Sequence, residues 1–311
     1  MKITGLHLLL TYQCNLECDH CFAWGSPWQT GTITLERIRE ILHQAGELGT
    51  VEWFYVEGGE PFLYYPVAVR AVKEAAELGF RVGVVTNGYW GTELADAMEW
   101  LRPFRGLVQD LSVSSDRLHW NGSLDRRAKI AMLAAEELGI PLGFIRIAEP
   151  GSTDAPAAVG QLPPSESAIM YRGRAVETLA ADAPRTPWTE LAECPFEDLR
   201  DPGRLHIDPF GNVHVCQGIS LGNLFEASLR EILRSYESAV EAGTHRIVTP
   251  LLSCGPAALL EQYELEHLEH GDGYADACHL CYEARLALRD RFPEILTPDQ
   301  MYGVVSDGST F

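Results

Sequence analysis

Positive charge is what this chain has least of. Its 311 residues carry 24 Lys and Arg against 44 Asp and Glu, a formal charge of -20. Nonspecific nucleic-acid binding depends on neutralising phosphates with Lys and Arg, so that class of partner is not expected. Long apolar runs are missing too: nothing approaches the ~18 consecutive residues of a membrane span. The opening "MKITGLHLLLTYQC" has only a short apolar run and no small-residue cleavage site, so the expectation is a cytoplasmic protein with no membrane partner. Thiols in that compartment stay reduced, and the clustering of the eight cysteines therefore points to metal or catalysis rather than to disulfides.

What is present is an alternation of strand and helix patterns. "LHLLLTY", "VEWFYVEGG", "RVGVVTNG", "VQDLSVSSD" and "PLGFIRIAEPG" read as strands. Between them "ITLERIREILHQAGELG", "YYPVAVRAVKEAAELG", "TELADAMEWLRPF" and "DRRAKIAMLAAEELG" show apolar residues at helical spacing. Successive βα units predict an α/β fold with a parallel sheet, and right-handed crossovers curl it toward a barrel. Functional loops of such sheets follow the C-terminal ends of the strands. The stretch "TYQCNLECDHC", with Cys14, Cys18 and Cys21, follows the first strand, "EGGEP" the second, "TNG" the third and "SSD" the fourth, so all four converge on one rim. Three thiols so close suit either a structural zinc knot, for which His20 is the nearest and badly placed fourth ligand, or an iron-sulfur cluster with one iron left open.

The spacing Cys14-x3-Cys18-x2-Cys21 resembles the radical S-adenosylmethionine (SAM) superfamily. The resemblance implies a partial (β/α)6 TIM-like barrel over residues 1–180, with a 4Fe-4S cluster on those cysteines. Three thiolates would leave the fourth iron free to be chelated by methionine's amino and carboxylate groups. It also implies reductive cleavage of SAM to a 5′-deoxyadenosyl radical and an external electron donor of flavodoxin or ferredoxin type. "EGGEP" matches the family's Gly-Gly-Glu-Pro motif, so Gly58, Gly59 and Glu60 would contact the methionine amine. His20 would lie beside adenine. Ser114 and Asp116 are candidates for the ribose hydroxyls or the carboxylate, and Thr86 and Asn87 for the cavity wall; plain turn chemistry is the alternative for all four. Arg146 would neutralise the SAM carboxylate or pair with Glu149.

After residue 180, "ETLAADAPRTPWTELAEC" reads as a connector. "RLHID" and "NVHVC" then alternate around Pro-Phe-Gly-Asn, a hairpin signature, and the helix beyond starts at the N-cap Ser228. Cys194, Cys216, Cys278 and Cys281 make a set of four thiols that a cluster or a structural zinc could use. With Asp208, Pro209, Gly211, Gly222 and Asn223 they resemble the SPASM and twitch auxiliary-cluster domains of the same superfamily. That implies a small α+β domain over 181–311 holding a second 4Fe-4S cluster. The eighth thiol, Cys254, is a buried small hydrophobe, an alternative ligand to Cys194, or a hydrogen-atom donor to a substrate radical. Arg172 and Arg174 in "MYRGRAVE" are a cationic pair that could dock an anionic substrate group, or simply be solvated at the surface. The resemblance favours modification of a ribosomally made peptide by crosslink, thioether or epimerisation. Oxidation of a small metabolite and a non-catalytic iron-sulfur or zinc scaffold are the alternatives.

Overall fold

Alternation of apolar and polar residues along five short segments becomes five parallel strands: β1 (Gly5–Leu9), β2 (Trp53–Glu57), β3 (Arg81–Thr86), β4 (Val108–Ser114) and β5 (Leu142–Ile145). The computed structural model describes residues 1–119, 125–152, 166–269 and 272–305. Helices α1 (Leu35–Leu48), α2 (Tyr65–Glu77), α3 (Leu94–Leu101) and α4 (Asp125–Leu138) connect the strands. α1 begins where Thr34 accepts from the Arg37 N–H and ends at Gly49 in the left-handed region, which satisfies end groups that the helix itself cannot. Its buried positions Ile38, Ile41, Leu42 and Ala45 form one stripe against the sheet.

Beyond α5 (Ala175–Thr178) come β6 (Arg204–Ile207), β7 (Asn212–Cys216) and β8 (Ile219–Asn223), then α6 (Leu229–Glu241), α7 (Val248–Cys254), α8 (Ala257–Tyr263) and α9 (Ala277–Leu288). The hairpin expected around Pro-Phe-Gly-Asn is the antiparallel β6–β7 pair. Ser228 caps α6 in a reciprocal box with Glu231. One arrangement was not foreseen. The sixth parallel strand, β6, lies beside β1, so the sheet order is β5-β4-β3-β2-β1-β6-β7-β8. The sheet therefore runs unbroken past residue 180, and one apolar core extends from Ile3 to Tyr302.

The turn after β2 is pressed onto the loop after β1. The Gly59 N–H donates to Thr11 O at 2.6 Å and the Glu60 N–H to Gln13 O at 2.9 Å. A Cβ on Gly59 would lie 2.2 Å from Gln13 O. Gly59→Ala is expected to push this turn off the cysteine loop. It should cost about 1–3 kcal/mol, as overpacking does, and lower the iron retained after reconstitution. Urea midpoints and iron assay check it, and unchanged values in both would refute this account of the turn.

Candidate active site

Residues 10–26 fold back over the C-terminal end of β1 and place Cys14, Cys18 and Cys21 at the mouth of a cavity of about 790 Å³. Two backbone amides point at sulfur: Leu16 N–H to Cys14 Sγ at 3.4 Å and Gly25 N–H to Cys21 Sγ at 3.2 Å. Asn87 adds a side-chain donor to Cys14 Sγ at 3.6 Å and ties to Asn15 Oδ1 at 2.9 Å. Burial, and then the Glu60 charge, push the Cys14 thiol up to about 12. Cys18 is raised by burial and then by Cys21 and Cys14. Thiols that penalise one another's ionisation need a bound cation to be held as thiolates, and binding then releases protons.

The number and spread of the sulfurs distinguish the candidate metals. Among the described residues, the only groups of three or more potential ligand atoms within 4.8 Å of one another are His7/Glu57/His206 and His20/Asp116/His119. A tetrahedral zinc, with Zn–S of about 2.3 Å, would draw its sulfurs to about 3.8 Å apart. The three thiols form no such group, so at least one pair among them is more than 4.8 Å apart, a spacing that a polynuclear cluster accommodates. His20 is grouped with Asp116 and His119 rather than with the three thiols, and its ring meets His119 edge-on at 4.3 Å.

Gly58, Gly59, Thr86, Asn87, Ser114 and His20 line the cavity. Glu60 does not. It is fully buried, and its carboxylate accepts from Phe62 N–H, Thr86 Oγ and Asn87 N–H, bracing the β2 turn against the end of β3. Burial outweighs these three donors and pushes its carboxyl up to about 7. Asp116 also stands behind the wall: its Oδ1 accepts from the His119 backbone N–H (3.0 Å), and its Oδ2 accepts from the Ile147 N–H (2.9 Å) and lies 2.8 Å from His119 Nδ1. It positions His119, a cavity residue that the sequence analysis missed. Arg146 is exposed and bonded to Ser115 Oγ at 3.3 Å, while Glu149 pairs with Arg117; neither expectation for Arg146 is met.

Cys194, Cys216, Cys278 and Cys281 meet around a separate pocket of about 30 Å³, which shares Arg172, Phe196 and Glu197 with the main cavity. Cys278 and Cys281 lie on the first turns of α9, whose N-cap Asp276 accepts from the His279 N–H. Burial, and then Cys216 and Cys281, push Cys194 up to about 12. Cys254, at the end of α7, is exposed and lines neither cavity. It is thus neither the buried hydrophobe nor the cavity thiol that the sequence offered, and Cys194 holds the fourth position of the set.

Arg172 and Arg174 are not a surface pair either. Both are buried, and they diverge from Gly173 toward the two thiol sets. Arg174 donates to Cys18 O at 2.7 Å and Gly25 O at 2.9 Å, clamping the N-terminal loop. Arg172 reaches Cys216 Sγ at 3.8 Å and Glu197 at 3.6 Å. Arg174 is taken up by these carbonyls, whereas Arg172 lines the main cavity with its Nε unpartnered.

Residues 8–153 match the family model described as the Radical SAM superfamily. They form a radical SAM domain. The domain implies a 4Fe-4S cluster and SAM, a combination that the three rim thiols accommodate. YydG of Bacillus subtilis (strain 168), whose name assigns it to peptide biosynthesis, is 29% identical over 111 residues, 35% of either chain. An S-adenosylmethionine-dependent nucleotide dehydratase of Fibrobacter sp. (strain UWH6) is 25% identical over 160 residues, 49% of this chain and 46% of that protein. The chain thus spans less than half the length of these curated relatives. Among solved structures, Streptococcus suis SuiB bound to precursor peptide SuiA has the same fold, with a TM-score of 0.57 at 15% identity over 89% of this chain and 76% of that one. Among the described residues no helix is long and apolar enough to cross a membrane.

Proposed function

We propose that this enzyme cleaves SAM at Cys14, Cys18 and Cys21, abstracts a hydrogen atom from a substrate carbon, and modifies a peptide. Cys194, Cys216, Cys278 and Cys281 would hold a second 4Fe-4S cluster that takes up or relays an electron, as the SPASM and twitch resemblance implies. The observation that carries this reading is that three thiols line the main cavity while four more gather around an adjoining small pocket that shares Arg172, Phe196 and Glu197 with it. When bound, the first cluster and SAM supply a 5′-deoxyadenosyl radical, with an external one-electron donor. The chain's own part is to hold that chemistry in place. Arg174 and the Gly59 turn fix the cysteine loop, Asn87 donates to Cys14, and Ser114, His20 and His119 wall the cavity beside it. YydG supports a peptide substrate. A small-metabolite substrate is favoured by one observation, the enclosed volume, which falls in the range of small-molecule sites. Cys254 has no part in either reading.

Anaerobic reconstitution should give brown protein with about eight irons per chain, as two cubane clusters require, and should release 5′-deoxyadenosine from SAM with dithionite. About four irons with SAM cleavage intact would remove the second cluster. A colourless, zinc-loaded protein would overturn the whole reading.

A further inference from the structure

Below the cysteine loop the strands turn a belt of polar side chains inward, where the interior of a β/α barrel is ordinarily filled by apolar ones. His7 and His206 are register partners on adjacent parallel strands. Each faces one oxygen of Glu57, His7 Nδ1 at 3.1 Å from Oε2 and His206 Nδ1 at 3.0 Å from Oε1. On β4, Asp110 accepts from Tyr55 Oη at 2.8 Å and from Ser112 Oγ at 3.2 Å. Tyr55 reaches it across β3 because residue 83 is glycine; a Cβ there would lie 2.1 Å from the tyrosine ring. His7, Tyr55, Glu57, Asp110, Ser112 and His206 all line the main cavity.

Against burial, which alone would raise it, His7 and His206 hold the Glu57 carboxyl well below the usual range, whereas Asp110 has only hydroxyl partners. Among the described residues no Lys or Arg lies within ion-pair distance of Glu57 or Asp110, whose partners are imidazoles and hydroxyls. The two arginines that do line the cavity, Arg172 and Arg204, are both engaged by Glu197. Unspent acceptors add to this. A carboxylate offers about four lone-pair sites, and Asp110 has two donors. Gln217, nine-tenths buried, points its Nε2 at His206 and leaves Oε1 without a partner. A buried carboxylate is costly unless a cation meets it. The sign of the site is therefore opposite to the one that Arg172 and Arg174 suggested in the sequence.

We infer that the belt of Glu57, Asp110 and Gln217 is a recognition site for a positively charged, N–H-rich group of the substrate, of the alkylguanidinium or alkylammonium class carried by arginine and lysine side chains. The inference rests on the reading that this cavity holds the substrate. Its test needs no turnover.

n-Butylguanidinium and its uncharged isostere n-butylurea are titrated into the reconstituted chain at constant ionic strength, with saturation-transfer NMR as the readout. The guanidinium should bind saturably and at least about tenfold more tightly than the urea, as a desolvated charge pair allows. That preference should vanish in Asp110→Asn and weaken in Glu57→Gln. It should persist in Glu36→Gln, which removes one exposed charge from α1. Equal affinities, guanidinium binding that does not saturate, or a preference unchanged in both Asp110→Asn and Glu57→Gln would overturn the inference. If either variant fails to fold, the comparison of the two isosteres on the parent chain still decides. Loss of SAM cleavage by the parent would overturn the reading of the cavity; equal isostere affinities with SAM cleavage intact would overturn this inference alone.

Discussion

Asp208→Ala is expected to cost about 3–5 kcal/mol, comparable to breaking a buried charge network. The side chain is fully buried and is the hub of the hairpin: it takes hydrogen bonds from Phe210 N–H, Asn212 N–H, Asn212 Nδ2 and Tyr12 Oη, with His214 Nε2 3.2 Å away. Tyr12 and His214 are themselves fully buried, so water cannot replace the lost acceptor for either. Each stranded donor forfeits roughly 1–3 kcal/mol, offset in part by relaxation, against a typical total of about 5–15 kcal/mol for a domain. The loss is not confined to the hairpin, because Tyr12 belongs to the loop that carries Cys14. Urea unfolding of the reduced, metal-free protein measures it. A midpoint shift equivalent to less than about 1 kcal/mol, the size of one ordinary net hydrogen bond, would show that the donors find other partners.

Cys18→Ser is expected to lower SAM cleavage at least about a hundredfold, because even losing an outer partner of a metal ligand costs about 10–100-fold. A serine hydroxyl is a harder and far less acidic donor than a thiol. Here a thiol is already raised by burial and by its neighbours, so the site has little margin for a weaker ligand. Iron should fall from about eight to about four per chain, the content of the remaining cubane. Stability should change little, since the Cys18 carbonyl, which Arg174 grips, is retained. SAM cleavage within a few-fold of the parent would refute the assignment of this residue.

The strand ends were legible because period-2 alternation and Gly-rich turns are local signals, and local signals place the rim of a parallel sheet. Cys14, Cys18, Cys21, Gly59, Asn87 and Ser114 fell where that logic put them. The place of β6 beside β1 was not legible, since strands nearly 200 residues apart pair through tertiary packing that no window of sequence displays. Arg172 and Arg174 were misread because charged side chains are ordinarily exposed, and only the folded chain reveals thiols and carbonyls as their partners. The polar belt could have been found. Tyr55 and Glu57, and likewise Asp110, Ser112 and Ser114, sit at alternate positions on their strands and so share one face. Cys254 gave no such signal; its exposure follows from the packing of α7.

The most direct measurement uses the chain with Cys216→Ala and Cys278→Ala, so that any cluster present belongs to Cys14, Cys18 and Cys21. Electron paramagnetic resonance of the dithionite-reduced protein is recorded before and after adding SAM. The account predicts a 4Fe-4S signal that changes shape on SAM addition, followed by release of 5′-deoxyadenosine. A signal indifferent to SAM, with no 5′-deoxyadenosine formed, would contradict it.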